Sequence, residues 1–437
     1  MKMTSFQIVL LAVFASLAVT GVLIFAFAVG STSSSSVGAL TIWGTWDQQE
    51  FATLLRQFSD KDNSFIQVTY QQKDSVTYDA DLTRAIANGT GPDLFLLRQD
   101  YAIRNADEIF AIPYSGATYA ISRAQYASTF ADVASPFLVE KGLLAVPYLA
   151  DPLVLYWNKD ILSTYGYAQP PHYWDELPGM VATITKKNDA GQITLSAIPL
   201  GEYANVDNAK DILSMMILQV GGQITTYDSN GKLTPVLSGD TPASLGSAEK
   251  SLDFYTSFAN PARIPTYTWN RSLPKSRVAF AGGGAALYIG YASENALIKK
   301  MNPNLNFAIG RIPQIRAAST TIDVARVYGL AVPRNAKNPS ASLTLAFFLT
   351  NSANATAAAG MFALPPVRRD VLAKGADGDM GVFEAEVIMA HSWVDPDPTA
   401  TEAIFKTMIE DTTSGAVPLL TDAVQQAQQE FNHLFGI

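Results

Sequence analysis

Acidic and aromatic side chains lie just past several predicted strands of this chain. Trp46 and Asp47 come after the segment LTIWG, Asp100 and Tyr101 after GPDLFLL, and Tyr291 after ALYIG. Because open α/β sheets bind ligands beside the carboxyl ends of their strands, these side chains are candidates for one binding site. Carboxylates accept hydrogen bonds and aromatic rings offer flat apolar faces, so the residue types suit ligand binding.

A sixth candidate, Asp151, lies in the segment GLLAVPYLADPLVLYWNKDIL between two apolar runs, each long enough for a buried strand. Pro152 cannot donate a hydrogen bond to a strand ladder and restricts the residue before it, so we expect the chain to bend or to change sheets there. An unpaired carboxylate beside so much apolar surface costs roughly several kcal/mol. A binding function would explain this aspartate, and a plain Asp-Pro turn is the alternative.

The other candidates also have simpler structural explanations. Asp47 precedes a predicted helix and can serve as its N-cap, and Asp100 can cap the segment that follows it. Trp46 and Tyr291 can belong to the hydrophobic core. The sequence leaves both interpretations open.

Signatures of catalysis are missing. The three histidines, His172, His391 and His433, lie far apart, and neither G-x-S-x-G nor H-E-x-x-H occurs. The glycine run AGGGAA at 281–286 lacks the Lys-Ser/Thr that follows in a phosphate-binding loop. The chain has no cysteine, which excludes disulfides, thiolate metal sites and cysteine nucleophiles. We therefore expect no metal and no cofactor.

Composition points to a folded protein of two or three domains. Of the 437 residues, 48% are hydrophobic and 16% are charged, which is typical of a chain that buries a large core. The net charge is −9. This charge argues against a nucleic-acid partner, because phosphate backbones are bound by clustered Lys and Arg.

The N-terminus is apolar from Ile8 to Val29 except for Ser16, Thr20 and Gly21. About 22 residues of helix reach roughly 33 Å, enough to cross a hydrocarbon core of about 30 Å. We expect an uncleaved membrane anchor followed by a serine-rich tether. A cleavable signal peptide is the alternative, and both place the rest of the chain outside the cytoplasm.

The elements that position the candidates alternate between strands and helices. A strand from Leu40 precedes a helix whose apolar residues Phe51, Leu54, Leu55 and Phe58 follow helical spacing. The strand-like segments FIQVTY and GPDLFLL follow, separated by a second helical pattern. This order predicts a parallel sheet with crossover helices.

Further helical patterns occur at 174–186, 208–220 and 244–258, and the chain is mostly helical from 339 onward. The whole pattern predicts two α/β lobes with more than one chain crossing between them.

An ordered set of segments resembles a known family. These are LTIWG, GPDLF, AVPYLADPLVLYWNKDIL, PPHYWDEL, VAFAGGGAALYIG, GRIP and YGLAVPRNAKNPSASLTLAFFL. The chain resembles the extracellular solute-binding proteins of bacterial ABC transporters, in the class that includes maltose-binding protein. The resemblance implies an α/β, two-lobed periplasmic-binding-protein-like fold (type II), with parallel-rich sheets flanked by helices and a hinge between the lobes. It also implies that a solute is clasped between the lobes and delivered to a membrane permease.

The resemblance also implies boundaries. Residues 1–38 would be the membrane anchor or signal segment and its linker. Residues 39–147 and 306–338 would form lobe 1, and residues 148–305 and 339–437 would form lobe 2.

The same resemblance assigns ligand-binding roles. Sugar-binding members touch ligand with the loops after the first and third strands, often carry a tryptophan after the YIG segment, and first cross between lobes after VPY. The crossing residue would face the cleft and would be in water when the lobes are open. Carboxylates would accept hydrogen bonds from vicinal hydroxyls, and aromatic faces would cover the C–H faces of a pyranose. The implied ligand-binding residues are Trp46, Asp47, Asp100, Tyr101, Asp151 and Tyr291.

The function expected from the sequence is a non-catalytic, extracytoplasmic, monomeric component of an ABC importer that binds a sugar or oligosaccharide. Its expected partners are the solute, the permease subunits and, through the N-terminal helix, the membrane. One alternative is a glycan-cleaving enzyme that uses two of Asp47, Asp100 and Asp151 as acid and as nucleophile or base. Another is a sensor or adhesin that binds carbohydrate without transport. Amino-acid, peptide and polyol ligands also stay open.

Overall fold

The structure is a computed structural model that describes residues 38–65, 67–239, 241 and 244–437. The expected membrane anchor or signal segment, from Ile8 to Val29, lies outside the described residues. Within the described ranges, no helix combines the length and the apolar character needed to cross a membrane.

The described chain alternates short strands with helices, apart from a helical C-terminal part. The strands are β1 (Leu40–Gly44), β2 (Val68–Gln72), β3 (Leu94–Arg98), β4 (Leu138–Val139), β5 (Gly142–Leu143), β6 (Val146–Asn158), β7 (Lys186–Lys187), β8 (Ile193–Leu195), β9 (Thr225–Tyr227), β10 (Leu233–Pro235), β11 (Leu287–Tyr291), β12 (Phe307–Gly310) and β13 (Ala325–Ala331). The α-helices are α1 (Gln48–Ser59), α2 (Tyr78–Ala87), α3 (Arg123–Thr129), α4 (Lys159–Thr164), α5 (Leu177–Ile184), α6 (Ala209–Gln219), α7 (Ser247–Ser257), α8 (Ser276–Ala281), α9 (Glu294–Met301), α10 (Pro339–Leu349), α11 (Ser352–Phe362), α12 (Arg369–Leu372), α13 (Gly378–Met389), α14 (Pro398–Ser414) and α15 (Leu420–Phe435).

The main sheet has the strand order β11-β6-β13-β3-β1-β2, with β12 also paired to β6. As predicted, β1 pairs in parallel with both β2 and β3. The remaining pairings of this sheet are antiparallel, between β13 and β3, between β13 and β6, and between β6 and both β11 and β12. Parallel pairing is therefore limited to the first three strands of the described sheet.

Strand β6 is one continuous strand of 13 residues that runs through Asp151 and Pro152. The expected division into two strands is wrong. In place of the expected bend or change of sheets, β6 exchanges one neighbouring strand for another within the main sheet. Pro152 is the last residue of β6 paired with β13, and Leu153 begins the pairing with β11. Proline removes one backbone donor, and a strand tolerates this loss where it exchanges one neighbour for another.

Two hydrophobic cores lie on either side of β6. Val154 and Tyr156 enter the first core, whereas Leu153 and Leu155 enter the second. This division follows from the strand geometry, because successive side chains point to opposite faces. Strand β11 alternates in the same way, and the described chain also passes between the cores after β12, just before β13 and after α13.

The helices within residues 339–390 pack against the first core, and the expected lobe boundaries, which place these residues in lobe 2, stay a prediction. Buried residues of α10, α11 and α13 belong to the first core, and the second core receives its C-terminal contribution from α14 and α15. Aromatic stacking explains this placement: the ring of Phe348 lies 3.9 Å from that of Phe65 and 5.7 Å from that of Phe58, between ring centroids. These contacts cover the helix that follows β1.

Asp151 is buried within β6, with 2% of its surface exposed. The main-chain N–H and the hydroxyl of Ser293 donate hydrogen bonds to its two carboxylate oxygens, at 2.9 and 2.6 Å. Burial raises the pKa of the Asp151 carboxyl to about 6, although the bonds from Ser293 act in the opposite direction. The carboxylate thus ties β6 to the start of α9, and its expected exposure to water when the lobes are open stays a prediction.

We expect Asp151→Ala to lower the free energy of unfolding by about 1–3 kcal/mol, because both Ser293 donors lose their acceptor. Asp151→Asn keeps one acceptor oxygen and is expected to lower the free energy of unfolding by a smaller amount. Denaturant unfolding of the two variants and the wild type measures the difference. An alanine variant as stable as the wild type would show that these bonds contribute nothing.

A substitution of Gly329 on β13 tests how tightly the first core packs. A Cβ at this position would lie 2.7 Å from the Cβ of Ala145 and 3.0 Å from Cζ of Phe137. Gly329→Ala is therefore expected to lower the free energy of unfolding by about 1–3 kcal/mol through overpacking. Gly360→Ala on the exposed face of α11 is the control: nothing lies within 4 Å of the added Cβ, and the helix should gain about 0.5–1 kcal/mol. Urea midpoints that move in the same direction for both variants would contradict this packing.

Candidate functional site

Three adjoining cavities share Arg326, on β13, in their walls. Two of them are lined by elements of both cores, whereas the cavity of about 390 Å³ is lined by elements of the first core alone. We call them together the cleft. The first cavity, of about 390 Å³, is lined by the rings of Tyr78, Tyr101 and Tyr328. The second, of about 430 Å³, extends to the start of α14. The third is a small polar space of about 30 Å³ beside Tyr291.

The end of β3 and the start of β13 bring the first-core side of the cleft together. A 3-10 helix, Gln99–Tyr101, begins directly after β3. The side-chain carbonyl of Gln99 accepts a hydrogen bond of 2.6 Å from the main-chain N–H of Val327 on β13. This bond holds the loop after β3 against the strand that carries Arg326.

Arg98 and Asp100 form a bidentate pair at this loop. The guanidinium Nε and Nη2 donate to the two carboxylate oxygens at 2.6 and 2.7 Å. Burial alone would raise the pKa of Asp100, but the charge and hydrogen bonds of Arg98 outweigh it, so the pKa is lowered. Asp100 is therefore an ionised acceptor whose oxygens are held in a fixed position.

The second-core side of the cleft comes from the first turn of α6, a helix that the sequence predicts. Lys210 donates from Nζ to Asp395 and to the hydroxyl of Thr401, both at 2.7 Å. The side chains of Lys210 and Asp395 are only 6% and 3% exposed. Burial raises the pKa of Asp395 to about 6, and the neighbouring ammonium acts against this rise.

Arg326 connects the two sides of the cleft. Its Nη2 donates to a carboxylate oxygen of Asp211 on α6 at 3.0 Å. Its guanidinium carbon also lies 3.8 Å from the centroid of the Tyr291 ring, in a cation–π contact. A strand of the first core is thus joined to two elements of the second.

A second ion pair joins the two sides near the start of α14. Nη1 of Arg104 donates to Asp397 and to the hydroxyl of Thr399, both at 3.2 Å. The Nε of Arg104 also lies 3.4 Å from a carboxylate oxygen of Asp79 on α2. This pair is partly exposed, so solvent and salt weaken it.

The cleft contains half of the residues predicted from the sequence. Asp100, Tyr101 and Tyr291 line its cavities. The remaining predicted residues, Trp46, Asp47 and Asp151, line none of these three cavities. Contact of any of the six with a solute stays a prediction.

Trp46 and Asp47 have the structural roles that their positions allow. The Trp46 ring packs 4.5 Å from Phe362 and 5.2 Å from Tyr328, between centroids, so it lies behind a ring of the cleft wall. The Asp47 carboxylate accepts hydrogen bonds of 2.8 and 2.9 Å from the main-chain N–H groups of Gln49 and Glu50, as the N-cap of α1.

Several cleft residues escaped the sequence-based prediction, among them Arg98, Lys210, Asp211, Arg326 and Tyr328. Arg98 is two residues from the predicted Asp100, and Arg326 precedes Tyr328 by two, so strand alternation places that pair on one face. Nothing in the local spacing marks Lys210 and Asp211. Among the residues that the structure describes, no group of three or more acidic or histidine side chains could hold a metal ion.

A family model and a curated protein are similar to this chain in sequence. A model of the family "Bacterial extracellular solute-binding protein" matches residues 53–386. A "Probable ABC transporter-binding protein" of Deinococcus radiodurans is 27% identical over 216 residues, which are 48% of each chain. The chain therefore spans about half the length of this curated relative.

Solved structures share the fold. The cyclic α-maltosyl-1,6-maltose binding protein of Arthrobacter globiformis superimposes with a TM-score of 0.73 at 16% identity, over 91% of this chain and 98% of that one. The sugar-binding protein MalE of Xanthomonas citri gives 0.71 at 18% identity, over 91% and 97%. A solute-binding protein of Thermotoga lettingae bound with α-D-tagatose gives 0.69 at 18% identity, over 91% and 100%.

At these identities the structural likeness establishes the two-lobed periplasmic-binding-protein fold, and the family match covers most of the two cores and the cleft. The chain belongs to the bacterial extracellular solute-binding protein family.

Proposed function

We propose that this protein binds a sugar or oligosaccharide in the cleft and delivers it to the permease of an ABC importer. The observation that carries the proposal is the cleft, whose wall combines tyrosine rings with charged groups already paired to one another. Structural neighbours described as binding maltotriose, tagatose and mannobiose support a carbohydrate.

The aromatic part of the wall suits the C–H faces of a pyranose. Tyr78, Tyr101 and Tyr328 all line the cavity of about 390 Å³. The hydroxyl of Tyr78 donates to the carbonyls of Trp43 and Leu96, at 3.1 and 2.9 Å, so its ring is held in place from behind. Rigid rings of this kind contribute contact area at a small cost in side-chain entropy.

The charged part of the wall suits hydroxyl groups. Arg98 pairs with Asp100, and Arg326 pairs with Asp211. Because each cation already has a carboxylate partner, these two pairs require no countercharge from a ligand. They still offer acceptor oxygens and N–H donors, which vicinal hydroxyls of an uncharged solute can satisfy.

Delivery to a permease requires a protein outside the cytoplasm that opens and closes. In this proposal the apolar segment from Ile8 to Val29 anchors a monomer to the membrane, and the lobes close over the solute. The ion pairs of Arg104 with Asp397 and of Arg326 with Asp211 join the two sides and favour the closed form.

The alternative of a glycan-cleaving enzyme has less support. That chemistry needs two carboxyl groups about 5–10 Å apart across one bond. Of Asp47, Asp100 and Asp151, only Asp100 lines one of the three cavities of the cleft. Chromatography of maltotriose or mannobiose after incubation with the protein separates the two functions, because an enzyme would release shorter sugars.

A thermal-shift screen of neutral mono-, di- and trisaccharides tests the proposal. A bound solute at 100 times its Kd should stabilise the protein by about 2.7 kcal/mol. Tyr101→Ala should weaken binding of the best solute about 5- to 10-fold, because it removes one ring contact from the wall.

Tyr227→Ala is the matched control for this substitution, because Tyr227 is 47% exposed on β9 and lines none of the three cavities. Its affinity should equal that of the wild type. Equal affinities of Tyr101→Ala and the control would show that the Tyr101 ring does not contribute to binding. A panel in which only amino acids or peptides bind would refute the carbohydrate.

Arg104→Gln tests closure of the lobes. Loss of its contacts with Asp397 should shift the solute-free protein toward a larger radius of gyration in solution scattering. Solute affinity should fall by up to about 5-fold, the scale of a partly exposed ion pair. Arg263→Gln is the control, because Arg263 pairs with Asp253 at 2.8 Å on one side of the cleft only. Identical scattering of the two variants would show that the Arg104 pair does not hold the lobes together.

A further inference from the structure

Two fully buried carboxyl groups, those of Asp323 and Glu386, lie next to each other at the hinge. Both residues have 0% of their surface exposed. Within the described structure, neither oxygen of Asp323 receives a hydrogen bond from a donor group, and Oε2 of Glu386 also lacks one. After burial, Glu386 has the largest influence on the pKa of Asp323, and Asp323 lies close enough to Glu386 to act on its pKa in turn. Buried carboxyl oxygens that receive no hydrogen bond need an explanation.

One cation faces this pair. Nε of Arg311, in the segment after β12, donates to Oε1 of Glu386 at 3.0 Å. Arg311 itself is half exposed, so solvent already screens its charge. The main-chain N–H groups of Val324 and Ile312 also favour ionisation, although the Val324 group does not reach hydrogen-bond geometry with Asp323.

The other charged groups on the surrounding elements are engaged elsewhere or face away. Helix α13 also packs against β6 and against the 3-10 helix Asp132–Phe137. Asp151 of β6 and Asp132 of the 3-10 helix are bonded to other partners. Glu384 precedes Glu386 by two positions on a helix of 3.6 residues per turn, so it points to a different face. His391, after α13, is exposed.

Two buried carboxylates with one half-exposed cation cannot both be ionised at low cost, since desolvation and mutual repulsion each disfavour the second charge. Burial raises the pKa of Glu386 to about 7 against the effect of Arg311. Burial and the neighbouring Glu386 together raise the pKa of Asp323 well above its ordinary range. If one carboxyl keeps its proton, its O–H can donate a hydrogen bond to an oxygen of the other carboxylate.

The pair lies where two chain passages between the lobes run side by side. The main-chain N–H of His391 donates to the carbonyl of Asp323 at 2.9 Å. The hydroxyl of Ser392 donates to the carbonyl of Ala325, also at 2.9 Å. One passage enters β13 and the other leaves α13, so side-chain contact between Asp323 and Glu386 reinforces the backbone bonds that join them.

We propose that Asp323 and Glu386 share one proton that holds these two passages together, and that its loss loosens this part of the hinge. The hinge thereby responds to the pH of the surroundings. This inference goes beyond the proposed function and does not depend on the identity of the solute.

The direction in which pH changes the stability follows from the numbers of protons that the folded and unfolded states bind. The unfolded chain releases the Asp323 proton near its ordinary pKa of 3.8, whereas the folded chain retains it to a much higher pH, because burial and the neighbouring Glu386 raise this pKa. Because the folded state binds more protons in this interval, its stability falls as pH rises through it. An asparagine at position 323 has no proton to lose and can still donate to Glu386.

Melting temperatures of the full chain from about pH 5 to about pH 8.5 test this inference. We expect the melting temperature of Asp323→Asn, relative to wild type, to rise with pH by at least about 2 °C across this range. Asp379→Asn is the control, because Asp379 lies on the same helix with a side chain 49% exposed and pairs with Lys299. Its difference from wild type should stay constant. A constant difference for Asp323→Asn as well would overturn the shared proton.

A second measurement does not require a stable variant. Near neutral pH, infrared spectroscopy of the wild type should show the C=O stretch of a protonated carboxyl, and raising the pH should remove it. Amide exchange at His391, corrected for intrinsic rates, should accelerate as the band disappears. Absence of the band near neutral pH would overturn the proposal, and unchanged exchange as it disappears would refute the link to the hinge.

Discussion

The structure depends on one constraint, which is that a single strand must belong to two hydrophobic cores without losing its backbone hydrogen bonds. Strand β6 meets this constraint by exchanging β13 for β11 where Pro152 removes a donor. Its side chains alternate between the cores, so each core receives part of the same strand. The cleft lies beside this exchange, because β13 carries Arg326 and β11 ends in Tyr291.

Several charged groups of the cleft wall are already paired with one another. The pairs of Arg98 with Asp100 and of Lys210 with Asp395 keep charge balanced when no solute is present. In the proposed function, solute would enter and leave the cleft without leaving either of these pairs as an uncompensated buried charge. The carboxyl pair of the hinge differs, since it is balanced only when it holds a proton.

Local sequence patterns predicted the helices and strands well and the long-range contacts poorly. Helical spacing after β1 and the Asp47 cap gave α1, and the strand ends placed Asp100 and Tyr101 correctly beside the cleft. The partner of Asp151, however, lies 142 residues further along the chain. Arg326 likewise meets a carboxylate 115 residues away. Such contacts arise from packing between distant segments, and neither periodicity nor capping rules contain that information.

The alternation of side chains along β6 also limits how the two lobes can move. A shift of this strand by one residue would send Leu153 and Val154 into the wrong cores, so sliding along the strand is blocked by the cost of exposing or misplacing both. Rotation about the strand keeps every side chain in its own core. In the proposed opening and closing, the lobes would therefore rotate about β6 rather than slide along it.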